Sequence, residues 1–174
     1  MKQQSKTIQK KAFIGILCSV ILIFLDQFTK YLAVQHLKDQ MPVVLWKNVL
    51  ELSYLENRGA AFGIFQGKRV IFLIITIIIL LFLAYCFWRI PYTRKYATLR
   101  GVLVLIAAGA VGNFIDRMYN GYVVDFFYFK VINFPIFNVA DIYVTCSAIF
   151  LAVLLIFCYK EEDLNQLLKS LKGK

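Results

Sequence analysis

Histidine occurs once in these 174 residues, at His36, and cysteine only four times. A single histidine excludes the usual Ser-His and Cys-His nucleophile pairs unless it serves alone, and it excludes any histidine cluster for zinc. Cys18, Cys86, Cys146 and Cys158 lie far apart inside apolar runs, without metal or redox spacing. They read as small hydrophobes in helices. HExxH, Gly-x-Ser-x-Gly and a glycine-rich phosphate loop after a strand are all missing from the sequence. Charge is sparse as well: charged residues make up 17% of the chain and hydrophobic ones 60%, against about 45–50% apolar usage in soluble domains. A soluble globule of this length cannot hide so much apolar surface, whereas a bilayer accepts it. The length predicts one domain, residues 1–174.

Four apolar segments are long enough, or nearly so, to cross a membrane: about 12–34, 70–88, 98–115 and 139–159. A spanning helix needs about 20 apolar residues. The first segment carries Asp26 and Lys30 and is expected to be an uncleaved span, because its run ends in Asp-Gln-Phe-Thr-Lys rather than a small-residue cleavage site. Basic residues set the orientation. Twelve of the twenty fall in the N-terminal tail, the loop between spans two and three, and the C-terminal tail. With four spans these segments share a side, which predicts both termini in the cytoplasm. The net charge of +10 is then mostly this topological signal. A nucleic-acid partner would require a basic face on a folded module, so none is expected.

The external segments are then about 35–67 and 117–138. The alternation in Leu50-Glu51-Leu52-Ser53-Tyr54-Leu55 fits a strand, in a short sheet or amphipathic cap on the outer leaflet. The aromatics from Tyr119 to Phe134 fit an interfacial belt. The tail after Glu161, with Leu164, Leu167, Leu168 and Leu171 at helical spacing, predicts an amphipathic helix at the cytoplasmic surface. The fold class expected is an all-α integral membrane protein with four transmembrane helices and a small β-containing extracytoplasmic part.

Ionisable groups at membrane depth are costly and therefore candidates for function. Asp26, Asp116 and Asp141 fall about 21, 22 and 28 Å from the cytoplasmic ends of their spans at 1.5 Å per residue. Asp125 follows in the second external segment, and Asn57, Asn113, Arg117 and Asn138 fall at similar depth. Two carboxylates held close cannot both ionise cheaply, so one keeps a proton while the other acts as a base. Such a pair can activate water and protonate a leaving amine. The same residues are compatible with a proton or ion relay in a small transporter, or with a structural cluster in which Asp116 pairs with Arg117 and Asp26 with Lys30 at i, i+4. The transporter reading lacks an internal repeat.

Five motifs in order carry a resemblance: Asp26-Gln27-Phe28-Thr29-Lys30, Asn57-Arg58-Gly59-Ala60-Ala61-Phe62-Gly63, Gly112-Asn113-Phe114-Ile115-Asp116-Arg117, Val124-Asp125-Phe126, and Phe137-Asn138-Val139-Ala140-Asp141. Together, on four spans, they resemble the lipoprotein signal peptidase (signal peptidase II) family over nearly the whole chain. The resemblance implies an intramembrane aspartyl endopeptidase that removes the signal peptide from diacylglyceryl-modified prolipoproteins, cutting before the lipid-bearing cysteine. Asp125 and Asp141 would be the catalytic dyad. Asn113, Asp116, Arg117 and Asn138 would line or brace the pocket, and Asn57 with the Gly59-Ala60 turn would bind substrate backbone. Asp26 and Lys30 would support the site from span one, and the outer strands would form a cradle on the membrane. The resemblance further implies no metal or other cofactor, inhibition by globomycin-type peptides, contact with membrane lipids, and a working monomer. The location implied is the bacterial cytoplasmic membrane, with the active site near its outer face.

Overall fold

The computed structural model describes residues 2–59 and 68–173. Helix α1 runs Lys2–Leu37, followed by strands β1 (Val43–Trp46) and β2 (Leu50–Asn57). Helices α2 (Arg69–Arg89) and α3 (Ala97–Tyr119) come next, then strand β3 (Val123–Phe129), helix α4 (Val139–Val153) and helix α5 (Glu161–Lys172). A π-helical turn, Leu154–Cys158, prolongs α4. Four of these helical stretches are long and apolar enough to cross a membrane: Ala12–Leu37, Arg69–Arg89, Ala97–Tyr119 and Val139–Cys158. The apolar runs extend almost all round these helices. Phe13, Ile16 and Phe24 of α1 and Ile78, Leu81 and Phe82 of α2 are exposed, which water would penalise and hydrocarbon does not. The 21 residues of α2 span about 31 Å, the thickness of the hydrocarbon core.

Helix α3 is the hub, because its small residues let backbones come close. A Cβ on Gly109 would meet the Ala140 carbonyl and Val144 of α4, and one on Gly112 would run into the Asp26 carboxylate of α1. Ala108, next to Gly109, is fully buried. The helix continues one turn beyond Ile115, so Arg117, which the pattern puts just outside the span, lies on its last turn.

The two ends of the bundle differ. At one end, Leu83, Cys86 and Ile90 pack with Tyr96, Leu99, Leu103 and Leu167 of α5. Asp163 at the start of α5 pairs with Lys95, and its carbonyl accepts from Tyr96 Oη at 3.0 Å. Acidic residues fill the first turn of α5 and Lys169 and Lys172 its last, matching the helix dipole. At the other end sits a three-stranded antiparallel sheet in the order β1-β2-β3. The alternating stretch expected to be a strand is β2. The aromatic segment expected as an interfacial belt supplies β3, whose Val124 and Phe126 are buried against Ala33 and Leu37 of α1.

The β2–β3 register pairs Leu52 with Phe127 but Leu55 with Asp125, so β2 carries one extra residue between them. A one-residue bulge exchanges the two faces of a strand. It therefore puts Asn57, opposite Val123, on the same face as Asp125.

The close approach of α1 to α3 predicts that Gly112→Ala costs about 1–3 kcal/mol by overpacking. Gly101→Ala, whose new Cβ meets nothing within 4 Å, is expected to be neutral or to stabilise by about 0.5–1 kcal/mol. Thermal midpoints in detergent compare the two; equal midpoints would contradict the packing.

Candidate active site

The polar residues of α1 and α3 meet around one ammonium group. Lys30 Nζ lies 2.9 Å from Asp26 Oδ2 and 3.1 Å from Asp116 Oδ2, and donates to Asn113 Oδ1 at 2.8 Å. Lys30, Asp26 and Asp116 are all buried. Three ammonium protons thus meet three acceptors, the arrangement a buried cation requires. Both carboxylates accept further bonds. Asp26 Oδ1 accepts from the Ala140 N–H at 2.9 Å, tying α1 to the start of α4. Asp116 Oδ2 accepts from the Val124 N–H at 3.1 Å, tying α3 to β3. Gln27 Nε2 bridges Asp26 and Asp116, 3.1 Å from each. Asp116 therefore pairs with Lys30, not with its neighbour Arg117.

Asp141 is held by a helix cap. Asn138 is the N-cap of α4: its side chain accepts from the Asp141 N–H at 3.0 Å, while Asp141 Oδ2 accepts from the Asn138 N–H at 3.1 Å. This reciprocal capping box fixes the Asp141 rotamer and leaves Oδ1 for Asn113 Nδ2 at 2.8 Å. Asn138 Nδ2 also donates to Asp125 Oδ1 at 2.6 Å and to Asn113 Oδ1 at 3.1 Å. Asn57 Nδ2 donates to Asp125 Oδ2 at 2.8 Å, and Asn57 Oδ1 accepts from the Gly59 N–H at 3.0 Å. Arg117 Nη2 donates to the Gly59 carbonyl at 3.2 Å and lies over the Phe72 ring, 4.7 Å from its centroid.

Asp125 and Asp141 face one cavity of about 220 Å³, lined also by Asn57, Asn113, Arg117, Val123, Pro135 and Ile136. Asp125 is 1% exposed. Burial, and then the charge of Asp141, push its carboxyl up to about 7, against the pull of the Asn57 and Asn138 amides. It is therefore poised between acid and base at neutral pH.

Of the eleven residues singled out in the sequence, ten meet at this end of the bundle in one hydrogen-bonded network; Ala60 lies outside the described residues. Gln27 was quoted within a motif without a role, although a polar residue beside Asp26 at membrane depth was signal enough. The backbone donors Ala140 and Val124 and the cavity wall of Val123, Pro135 and Ile136 carry no sequence signal, because chain geometry alone brings them in.

Comparison with known proteins finds similarity over most of the chain. The family model for signal peptidase (SPase) II matches residues 18–157. A lipoprotein signal peptidase from Caldanaerobacter subterraneus subsp. tengcongensis is 43% identical over 144 residues, covering 82% of this chain and 96% of that protein. One from Clostridium novyi is 40% identical over 144 residues, covering 81% and 96%. A solved structure described as "Bacterial membrane enzyme structure by the in meso method at 2.3 A resolution" superposes with a TM-score of 0.73 at 36% identity, covering 85% of this chain and 92% of that one.

Two outcomes follow from the site. Lys30→Met leaves two buried carboxylates without their cation, and the loss expected is about 3–5 kcal/mol, read as a fall in the thermal midpoint. Infrared titration should show one protonated carboxyl C=O band that fades as pH rises through about 7 and is missing from Asp125→Asn; a band that persists in that variant would remove the assignment.

Proposed function

The chain belongs to the signal peptidase II family of multi-pass membrane peptidases, and from that premise we propose that it removes the signal peptide from diacylglyceryl-modified prolipoproteins by aspartyl catalysis, cutting before the lipid-bearing cysteine. The observation that carries this reading is the pair of carboxylates on one cavity, each held by asparagine amides, with Asp125 raised to about 7.

A water between the carboxylates loses a proton to the ionised one and attacks the scissile carbonyl carbon. The protonated carboxyl of the pair donates to the carbonyl oxygen as the tetrahedral centre forms. Collapse breaks the C–N bond: the proton taken from water passes to the leaving amine, and the one on the former carbonyl oxygen returns to the dyad, leaving a carboxylic acid and restoring the single shared proton. The pair titrates as a unit, so the useful state holds one proton between two oxygens. Asn113 and Asn138 position the dyad, Asn57 with Gly59 and Ala60 receives substrate backbone, and Arg117 braces Gly59. Asp26, Lys30 and Asp116 hold the helices that carry the site.

The remaining features belong to the same proposal. Residues 1–174 form one membrane-embedded domain in the bacterial cytoplasmic membrane. The end bearing α5 and the 90–96 loop, where the basic residues concentrate, is cytoplasmic, as are both termini, by the positive-inside bias. The sheet and site then lie near the outer face, where the bond next to a lipidated cysteine is held by its own anchor. A dyad complete in one chain makes a working monomer, and a globomycin-type peptide would compete for the cavity.

Cleavage of a purified lipidated prolipoprotein in detergent tests this reading. Asp125→Asn and Asp141→Asn should each lower kcat by about 10²–10⁴ or more without loss of fold, and a chelator should leave wild type unaffected. A retained rate in either variant would remove that residue from the chemistry. Because the raised carboxyl must keep its proton, kcat/KM is expected to fall as pH rises through and above about 7; a rate still climbing at pH 9 would contradict it.

A further inference from the structure

Helices α1 and α2 both pack on α3 but scarcely touch each other, and two recesses lie in the gap between them. One, about 280 Å³, is bounded by Ile14 and Cys18 of α1 and by Ala97 and Gly101 of α3, at the end that bears α5. The other, about 370 Å³, runs toward the middle of the span past Ser19, Leu80 and Val111. They share Gly15, Phe87 and Val104. The Phe87 ring lies so close to Gly15 that a Cβ there would come within 2.9 Å of its Cζ, and it stands as a partition between the two. Ile14, Ile16, Cys18 and Trp88 are exposed, so both recesses open toward hydrocarbon. The charged member of their lining is Arg100, 6% exposed. Its guanidinium donates to the carbonyls of Pro91 and Thr93 and lies 4.6 Å from the Tyr92 ring centroid. None of the described carboxylates pairs with it, and carbonyls and a ring cancel no charge, so this cation still lacks a counter-ion. Its surroundings are basic too. Lys10 is exposed one turn before Ile14 on the same face of α1, and Arg94 is exposed on the turn into α3. Lys95 is already committed to Asp163.

We propose that this gap is a binding site for one anionic phospholipid, its phosphate at Arg100 in the field of Lys10 and Arg94 and its two acyl chains on either side of Phe87. The site is separate from the polar cavity at the sheet end and does not depend on the peptidase reading. Charge selects the headgroup: an anionic lipid supplies the counter-ion that Arg100 lacks, whereas a zwitterionic one brings a second cation beside it. Shape selects the chains. Two narrow recesses parted by a single ring suit two thin hydrocarbon tails, and a helix about 10 Å across enters neither, which disfavours a second copy of the chain or a partner's span. Bound there, the lipid fills the space that helix packing leaves open and fastens α1 to α2, which otherwise meet mainly through α3.

Native mass spectrometry of the purified full chain in detergent, titrated with dioleoylphosphatidylglycerol or dioleoylphosphatidylcholine, tests this. Phosphatidylglycerol should bind as a single molecule about tenfold more tightly than phosphatidylcholine, because several basic residues act on one phosphate. Lys10→Gln combined with Arg94→Gln, both exposed positions, should cut that preference to about twofold and leave phosphatidylcholine binding unchanged. Gly101→Leu probes the recess itself. Its new side chain starts where nothing lies within 4 Å, so it occupies the recess without straining the fold. It should weaken phosphatidylglycerol binding about tenfold with no fall in the thermal midpoint of the lipid-free protein. Arg100→Gln should lose as much, and the other two variants decide the matter if it fails to fold. Equal affinities for the two lipids, or unchanged binding by Gly101→Leu, would overturn the proposal. So would displacement of the lipid by glycerol 3-phosphate at equal concentration, which would mark a site for the phosphate alone. A dimer that Gly101→Leu abolishes would assign the gap to a second copy and overturn it as well.

Discussion

The three protons of the Lys30 ammonium group, each given to a buried acceptor, are the constraint on which the polar end of this molecule depends. At membrane depth there is little water to share the charge, so a missing partner costs several kcal/mol. The acceptors Asp26, Asn113 and Asp116 come from α1 and α3. Their remaining capacity passes outward to the Ala140 N–H of α4, the Val124 N–H of β3 and, through Asn113, to Asp141. Every element that carries a candidate catalytic group is thus fastened to one cation. Gly112 completes the arrangement, because only a residue without Cβ leaves the Asp26 carboxylate its place against α3.

The dyad is oriented by devices that elsewhere serve stability alone. Asp141 is the N3 residue of a capping box, and the same Asn138 amide that caps α4 reaches Asp125. An N-cap contributes about 1 kcal/mol to a helix; here it also sets the position of two carboxylates. The bulge in β2 has a similar double use. It adds the twist that bulges bring to short sheets and turns Asn57 toward Asp125. Structure and chemistry share residues, so substitutions at Asn138 or Asn57 act on both.

The two ends of the bundle divide the work. At the α5 end, an apolar cluster and the Asp163 pairing with Lys95 close the molecule. At the sheet end, burial is spent on carboxylates, and the raised Asp125 carboxyl is a stability cost. Its proton is bound in the fold at a pH where the unfolded chain has released it, so stability falls as pH rises through about 7 and the full cost is felt above it. An aromatic groove lies at the same end, where strand, cap and lipid-facing helix converge on Asp141.

Much of this was legible in the sequence. Hydropathy alone marked the four spans, because a helix must bury its backbone polar groups within itself and needs about 20 apolar residues to cross. The cost of charge in hydrocarbon marked Asp26, Asp116 and Asp141, and the spacing of Leu50 to Leu55 marked β2. Other features lay beyond any local pattern. Asp116 was equally compatible with Arg117, its neighbour in the chain, and with Lys30, 86 positions away, and the close approach of α1 to α3 chose Lys30. The aromatic run from Tyr119 to Phe134 reads as an interfacial belt by composition, yet strand pairing buries Phe126 and sets Phe127 against Phe137 as a wall. The bulge that faces Asn57 toward Asp125 shifts the register by one residue without marking it in the amino acids. Sequence by itself determined which groups are too costly to stand alone in a membrane, because that depends only on what they are. Tertiary structure decided which group satisfies which, because partners far apart in the chain meet only where the helices and strands pack.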